Sequence, residues 1–487
     1  MMDMLEVYSS PSLRGVDLTH YSAEIEKQRM ISAMNNRMSK IVASHSNVAR
    51  IVKPSSSMKR FSCTSPEVQE KFTPSAFCSV FQSGDMICID TYCTELVKII
   101  PFSSQIGNAI LNDETCLQYI IDFSGNLSTN TQVSSYLSFI LAIGRLNFDL
   151  LLDNSILFVI RDIISEFPIP LLQFYSQISI FSSNARNGLI CLGIIDDIID
   201  ICINGTDDSV AIHASLTLKS IFSQTDQLEV NSIRPLITQL ASIFSYQRPI
   251  DLIINIMNTI AIIANQLPQI IPDLYSLGVH SFIIDNICDS QITEACLSLL
   301  GSMAICCNST YIQELIDSGV VELVAGFLTS SFCSASVFSF LTNCIESAPN
   351  LISPLIDDNL LSATAEISIN CPYDLFKEAT YFAATLLLFV PSSQIVTILN
   401  YGLTSNIIEM LDCGIARISI RCIDSLSRVL VLSYTAQSIF YLMNLFFESP
   451  ELIELLNNLV QQSDVLVRNK AQNLIDELEE IRTSNNM

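Results

Sequence analysis

Tryptophan is absent from this chain, which excludes any binding site built on an indole ring. Basic residues are scarce: 24 Lys and Arg stand against 49 Asp and Glu, for a formal net charge of −25. A body of that sign repels phosphates, so nucleic acid is not an expected ligand. Histidine occurs four times, at His20, His45, His213 and His280, each alone in the sequence. The 16 Cys include no C-x-x-C pair. No zinc framework is therefore expected, and neither metal nor cofactor is assigned. No Gly-rich phosphate loop, G-x-S-x-G elbow or H-E-x-x-H helix occurs, and catalysis is not expected. The acidic pairs Asp196-Asp197, Asp207-Asp208 and Asp357-Asp358 fall at expected helix ends or loops, where they suit capping and solvation.

An uninterrupted apolar span is also missing. Hydrophobic residues make up 49% of the chain and mean hydropathy is +0.43, so the question arises. The longest uncharged runs are Leu323 to Ile345 and Thr380 to Ile408. The first is loaded with Ser, Thr, Cys and Asn, and the second carries Pro391-Ser392-Ser393-Gln394 near its middle. A spanning helix needs about 20 predominantly apolar residues, so these runs read as buried repeat helices and membrane insertion is not expected. Met1 to Ser10 shows no basic stretch followed by an apolar one, so no secretory signal is expected. The Cys, among them Cys191, Cys202, Cys296, Cys306, Cys307, Cys344 and Cys422, lie in apolar segments. They read as small buried hydrophobes in a reducing compartment.

What the chain does contain is a turn that recurs almost throughout. Its clearest copy is YIQELIDSGVVELV, Tyr311 to Val324: an apolar helix end, a Gly, and the start of a new amphipathic helix. Pivots of this kind fall at Asn112, Asn154, Gly193, Ser232, Gly278, Gly319, Asn359, Gly402 and Ser449. Successive positions differ by 42, 39, 39, 46, 41, 40, 43 and 47 residues. Helical periods of about 40–47 residues belong to armadillo and HEAT arrays, in which no unit buries its apolar face alone and stacking makes the core. The expected fold is all-α: a helical-repeat solenoid of about nine to ten repeats, of armadillo or HEAT type, with a basic N-terminal helix. Within one unit, Glu294 to Ile305 is an apolar inner helix, Asn308 to Asp317 a short helix, and Val320, Val321, Val324, Phe327 and Leu328 line the next. The last unit bears one stripe, Val467, Ala471, Leu474, Ile475, Leu478 and Ile481. Its other face carries Arg468, Lys470, Asp476, Glu477, Glu479 and Glu480, the single wet face of a capping repeat.

Charge is distributed unevenly. Residues 11–60 hold nine basic residues, Arg14, Lys27, Arg29, Arg37, Lys40, Arg50, Lys53, Lys59 and Arg60, against Asp17, Glu24 and Glu26. That segment is +6 and the remainder −31, a basic head on an acidic body. Asp17 to Ser44 has helical periodicity, and the Pro- and Ser-rich stretch Pro54 to Pro66 has linker composition. The expected organisation is a basic helical segment over 1–53, a linker over 54–71 and the repeat array over 72–487. An acidic array favours basic protein partners, and it also serves solubility.

These residues resemble importin alpha, the adaptor for nuclear localisation signals. The best stretch is FKEATYFAATLLLFVPSSQIVTILNYGLTSNIIEMLD, Phe376 to Asp412, which is similar to a late repeat of that family. Ser449 to Glu480 resembles its final repeat, Phe72 to Ile100 its first, and the basic helix at 17–44 stands where the family carries its importin-beta-binding segment. The resemblance implies that the solenoid is an armadillo-repeat, right-handed superhelical one, and that basic cargo signals bind on its concave face, through a Trp and an Asn four residues later on each inner helix. The matching pairs here are Tyr136 with Ile140, Leu216 with Ser220, Leu297 with Gly301, Ser339 with Asn343, and Tyr381 with Thr385. Only Asn343 keeps the Asn, and only Tyr136 and Tyr381 keep a ring able to stack on a cation. The resemblance also implies that the basic head binds an importin-beta-like carrier or occupies the unloaded groove, and that the protein works in cytoplasm and nucleus. The competing expectation is a general armadillo scaffold for protein–protein interaction with no transport role.

Overall fold

The computed structural model describes residues 70–125, 127–146, 156–181, 183–223, 228–306, 309–329, 334–352, 356–435, 450–461 and 464–485. The 1–53 segment and nearly all of the 54–71 linker lie outside them. The described residues form helices joined by turns, with no strand among them. They cluster into two compact units, one ending at Ile270 and the other running on from Ile271.

Each unit is built on a ladder of long helices. In the first, the rungs are α1 (Met86–Ile99), α2 (Asn130–Gly144), α3 (Pro168–Phe181), α4 (Asp208–Phe222) and α5 (Ile250–Gln266). In the second, they are α6 (Thr293–Met303), α7 (Ala335–Ser347), α8 (Tyr373–Phe389), α9 (Ala416–Thr435) and α10 (Val465–Asn485). Within each unit every rung packs along the next, and shorter helices pack against the rungs, as Ile194–Asn204 does on α4 and Leu403–Glu409 on α8. This is the all-α helical-repeat solenoid that the period implies.

The rungs form for local reasons. Asp207 caps α4, its carboxylate accepting from the amides of Ser209 at 2.8 Å and Val210 at 3.3 Å. Such a cap contributes about 1 kcal/mol. Ala211, Ala214, Leu218, Ile221 and Phe222 then recur at three- and four-residue steps, and all are fully buried. A rung touches a rung on either side and a shorter helix behind, so its apolar stripe is wide and its open face narrow.

Gly193, Gly278, Gly319 and Gly402 hold left-handed backbone, with φ of 69°, 71°, 73° and 73°. Each reverses the chain so that the next helix starts at once, as at Val320–Gly326 after Gly319. Val320, Val321, Val324, Phe327 and Leu328 are all buried behind it. Two expected pivots fall elsewhere. Ser232 and Asn359 lie inside helices Val230–Ser242 and Asp358–Asn370, because those turns end on extended residues, Glu229 and Asp357. Asp357 accepts from the Leu360 amide at 2.8 Å, and a helix start capped this way needs no left-handed residue. Asn112 closes its helix in right-handed backbone, and Asn154 and Ser449 lie outside the described residues.

In α10, Val467, Ala471, Leu474 and Leu478 are buried and Ile475 half-buried. Lys470 and Glu477 depart from the expected wet face: Lys470 pairs with Asp424 of α9, and Glu477 accepts from Ser427 at 2.8 Å. Cys202, Cys296, Cys344 and Cys422 are buried as expected, whereas Cys191 is exposed. No single helix among the described residues is long and apolar enough to cross a membrane.

Candidate partner-binding face

The residues expected to read a basic cargo signal come to very different places. Tyr136 is buried on α2 and donates its hydroxyl to the Ile120 carbonyl at 2.8 Å, and Ile140 is buried below it. Burial in apolar surroundings pushes the Tyr136 phenol far above the usual tyrosine range. Leu297 and Gly301 are buried on α6. Leu216 is exposed on α4, with Ser220 half-buried one turn on. Ser339 and Asn343 are half-buried on α7, and the Asn343 amide donates to the Gly301 carbonyl at 2.8 Å. The nine basic residues expected to hold a carrier, Arg14 through Arg60, lie outside the described residues.

Tyr381 keeps the cation chemistry, with cations of its own chain. The guanidinium of Arg417 lies 4.7 Å from the ring centre and that of Arg421 at 4.9 Å. Arg421 also donates to the Tyr381 hydroxyl at 3.0 Å, to Thr385 at 3.3 Å and to the Glu346 carboxylate. The side chains of Arg421 and Glu346 are 4% and 3% exposed, so this is a buried ion pair across α7, α8 and α9. The retained ring and the retained Asn amide are thus both engaged within the fold.

A recurring bond type, invisible in the linear pattern, links the rungs. A polar side chain on one rung, or on the turn leading from it, donates to a carbonyl of the rung before. Gln266 reaches Phe222 at 2.8 Å, Ser347 reaches Ala304 at 2.6 Å, and Arg428 reaches Leu387 and Val390 at 2.7 and 2.6 Å. These acceptors sit at rung ends, where the last helical carbonyls have no partner in their own helix. The only sequence signal is a donor spaced one repeat beyond a helix end.

Further charges of the second ladder are paired: Lys377 with Asp374 and Glu378, Arg417 with Glu378, and Lys470 with Asp424. In the first ladder, acidic residues stand exposed at several rung starts. Asp85 opens α1, Asp207 and Asp208 open α4, and Asp251 opens α5. Between the starts of α3 and α4 this edge opens into a cleft of about 660 Å³, lined by Asp162, Asp197, Asp200 and Asp207 beside Arg161. Arg161 binds Asp197 through two nitrogens, at 2.6 and 2.9 Å, and donates to the Leu192 carbonyl. Its charge is matched, which leaves the cleft net acidic. Asp200 lies near the C-terminal end of helix Ile194–Asn204, where the helix dipole adds to its negative potential. The cleft is therefore suited to an ammonium or guanidinium group; in the sequence, Asp197 and Asp207 suit capping or solvation, and nothing singles out Asp162 or Asp200.

No family model and no curated protein matches this chain. Among solved structures, an engineered protein determined by the Northeast Structural Genomics Consortium is similar over 83% of this chain and 98% of its own, at 14% identity and a TM-score of 0.59. Kap121p is similar over 83% of this chain and 41% of its own, at 14% identity and a TM-score of 0.48. The first likeness concerns the fold alone, and it agrees with the helical-repeat architecture described above.

Proposed function

We propose that this chain is a helical-repeat adaptor that takes basic segments of partner proteins along the acidic edge of its ladder. The observation that carries this reading is the cleft between α3 and α4, acidic after its one arginine is paired. The exposed acids at the starts of α1, α4 and α5 extend the same field. Recognition by field and cleft tolerates loss of the Trp and Asn positions, because long-range attraction replaces stacked clamps. The importin-alpha resemblance supplies the finer form of the proposal. Cargo signals are the basic segments, the head over 1–53 recruits an importin-beta-like carrier, and the protein works in cytoplasm and nucleus without catalysing a reaction.

The binding test is fluorescence anisotropy with a Lys- and Arg-rich peptide. Affinity should fall as salt rises, since screening shortens the field to about 10 Å at 0.1 M. Asp200→Lys should weaken it roughly tenfold, with the fold unchanged by circular dichroism. Salt-insensitive binding, or preference for an apolar peptide, sinks the proposal. The carrier test is capture of purified importin-beta by the full chain and by a chain starting at residue 66. Loss of capture on truncation supports the transport form. Capture by neither favours a second reading, a protein scaffold with no transport role. That reading draws on Tyr381 and Asn343, whose binding groups are engaged internally.

A further inference from the structure

In the first unit, helix Pro74–Gln82 meets helix Glu114–Ser124. Their contact brings together three metal-ligating side chains, Cys78, Asp113 and Cys116. The sulfurs of Cys78 and Cys116 are 3.5 Å apart. One donor atom from each of the three residues lies within 4.8 Å of the other two. Cys116 is fully buried, while Cys78 and Asp113 are half-buried, so the cluster has a dry side and an open side.

We propose that Cys78, Asp113 and Cys116 bind a thiophilic divalent cation of the zinc class. Tetrahedral coordination with metal–sulfur bonds of about 2.3 Å sets ligands roughly 3.8 Å apart, close to the separation of these two sulfurs. A hydrogen-bonded thiol pair accounts for that distance too, and the third donor distinguishes the two cases. Asp113 caps helix Glu114–Ser124: its Oδ1 accepts from the amides of Thr115 and Cys116, both at 3.0 Å. The cap fixes the carboxylate beside the two sulfurs and leaves Oδ2 for a ligand. Two backbone amides thus orient a metal-binding group, as outer-shell partners do in metal sites. The two sulfurs select a soft or borderline ion over magnesium or calcium, and the half-exposed side leaves a fourth position to solvent. The Cys116 sulfur also lies 3.6 Å from the Pro74 carbonyl, which packs the buried end of the site.

The pairing spans 38 residues, so no short Cys motif marks it. The three ligands come from two neighbouring helices of one unit. Bound metal would therefore clamp helix Pro74–Gln82 to helix Glu114–Ser124.

The test is zinc and cobalt titration of the reduced full-length protein, compared with Cys78→Ser and Asp113→Asn. Asn is as good a cap as Asp, so Asp113→Asn keeps the helix start and removes one ligand. Wild type should bind one equivalent more tightly than the rest. Its cobalt form should show the near-ultraviolet absorption of a thiolate–metal bond, and zinc should raise its unfolding temperature. Asp113→Asn should weaken that equivalent by roughly 10–100-fold, and Cys78→Ser should abolish it and its absorption. Equal uptake and equal spectra in all three proteins would overturn the proposal, since the metal would then lie on other cysteines. Recovery of Cys78 and Cys116 as a disulfide, with no tight zinc equivalent after reduction, would overturn it as well.

Discussion

Arg421 shows how a single side chain sets what the second ladder can bind. Its guanidinium lies against the Tyr381 ring, hydrogen-bonds the Tyr381 and Thr385 hydroxyls and neutralises Glu346 in a buried setting. A ring that would otherwise stack on an incoming lysine is covered by the chain's own arginines. Removing one member of a buried pair strands the other charge, at about 3–5 kcal/mol, whereas replacing both by apolar groups is often neutral. Arg421→Met and Glu346→Leu should each lower stability by about 3–5 kcal/mol, and the double variant should regain most of the loss. Urea unfolding of the four proteins checks this. Additive losses would mean that the two groups act independently. None of this network was legible in the sequence, because Glu346 and Arg421 are 75 residues apart and meet only when α7, α8 and α9 stack. The Tyr381 ring was legible as a cation-stacking group, but the source of its cation was not.

At the scale of the element, the turn between helices carries most of what the sequence discloses. Gly319 holds a φ of 73°, and nothing lies within 4 Å of where a Cβ would stand. The glycine is thus required by backbone conformation and not by crowding. Gly319→Ala should cost about 1–2 kcal/mol, the penalty of left-handed backbone for an L-residue, with no change in fold. Gly319→Asn should cost less, since Asn visits that region more readily. Thermal unfolding of both variants decides it, and an Ala variant as stable as wild type would contradict the backbone argument. The Gly pivots were legible because one residue type meets one conformational need. Ser232 and Asn359 misled because Glu229 and Asp357 start those helices from extended backbone, so the turn lies two or three residues earlier. Asp113 went unmarked in the sequence: it caps helix Glu114–Ser124, and the two sulfurs it faces become visible only when Pro74–Gln82 packs on that helix.

For the whole molecule, the buried thiols make a joint prediction. Cys93, Cys202 and Cys296 are pushed up to about 12 by burial, from an ordinary value of 9.0. In the unfolded chain these thiols ionise near pH 9, while in the folded protein they stay protonated until about pH 12. Unfolding between those values releases protons, so rising pH favours the unfolded state. Their stabilising contribution is complete below pH 9 and is lost as pH climbs through 12. The urea midpoint should therefore fall steeply above pH 9, and Cys202→Ala should make that fall shallower. A midpoint independent of pH over this range would contradict the burial of these groups. The period, the all-α class and the acidic body were legible at this scale because they are properties of many residues at once. The cleft at Asp162 and Asp200 was not, since it depends on where a neighbouring arginine finds its partner.

The bonds that complete the rung-end carbonyls point one way. Gln266, Ser347 and Arg428 reach back to carbonyls of an earlier rung, so each helix end is completed by residues that follow it in the chain. The two sides of any break in a ladder are consequently unequal. On the side that retains the earlier rung, terminal carbonyls lose their donors, at about 1–3 kcal/mol for each that stays buried. On the other side, the orphaned groups are side chains able to rotate into water. An array joined in this manner has a sense of direction, like a stair in which every tread rests on the one above it.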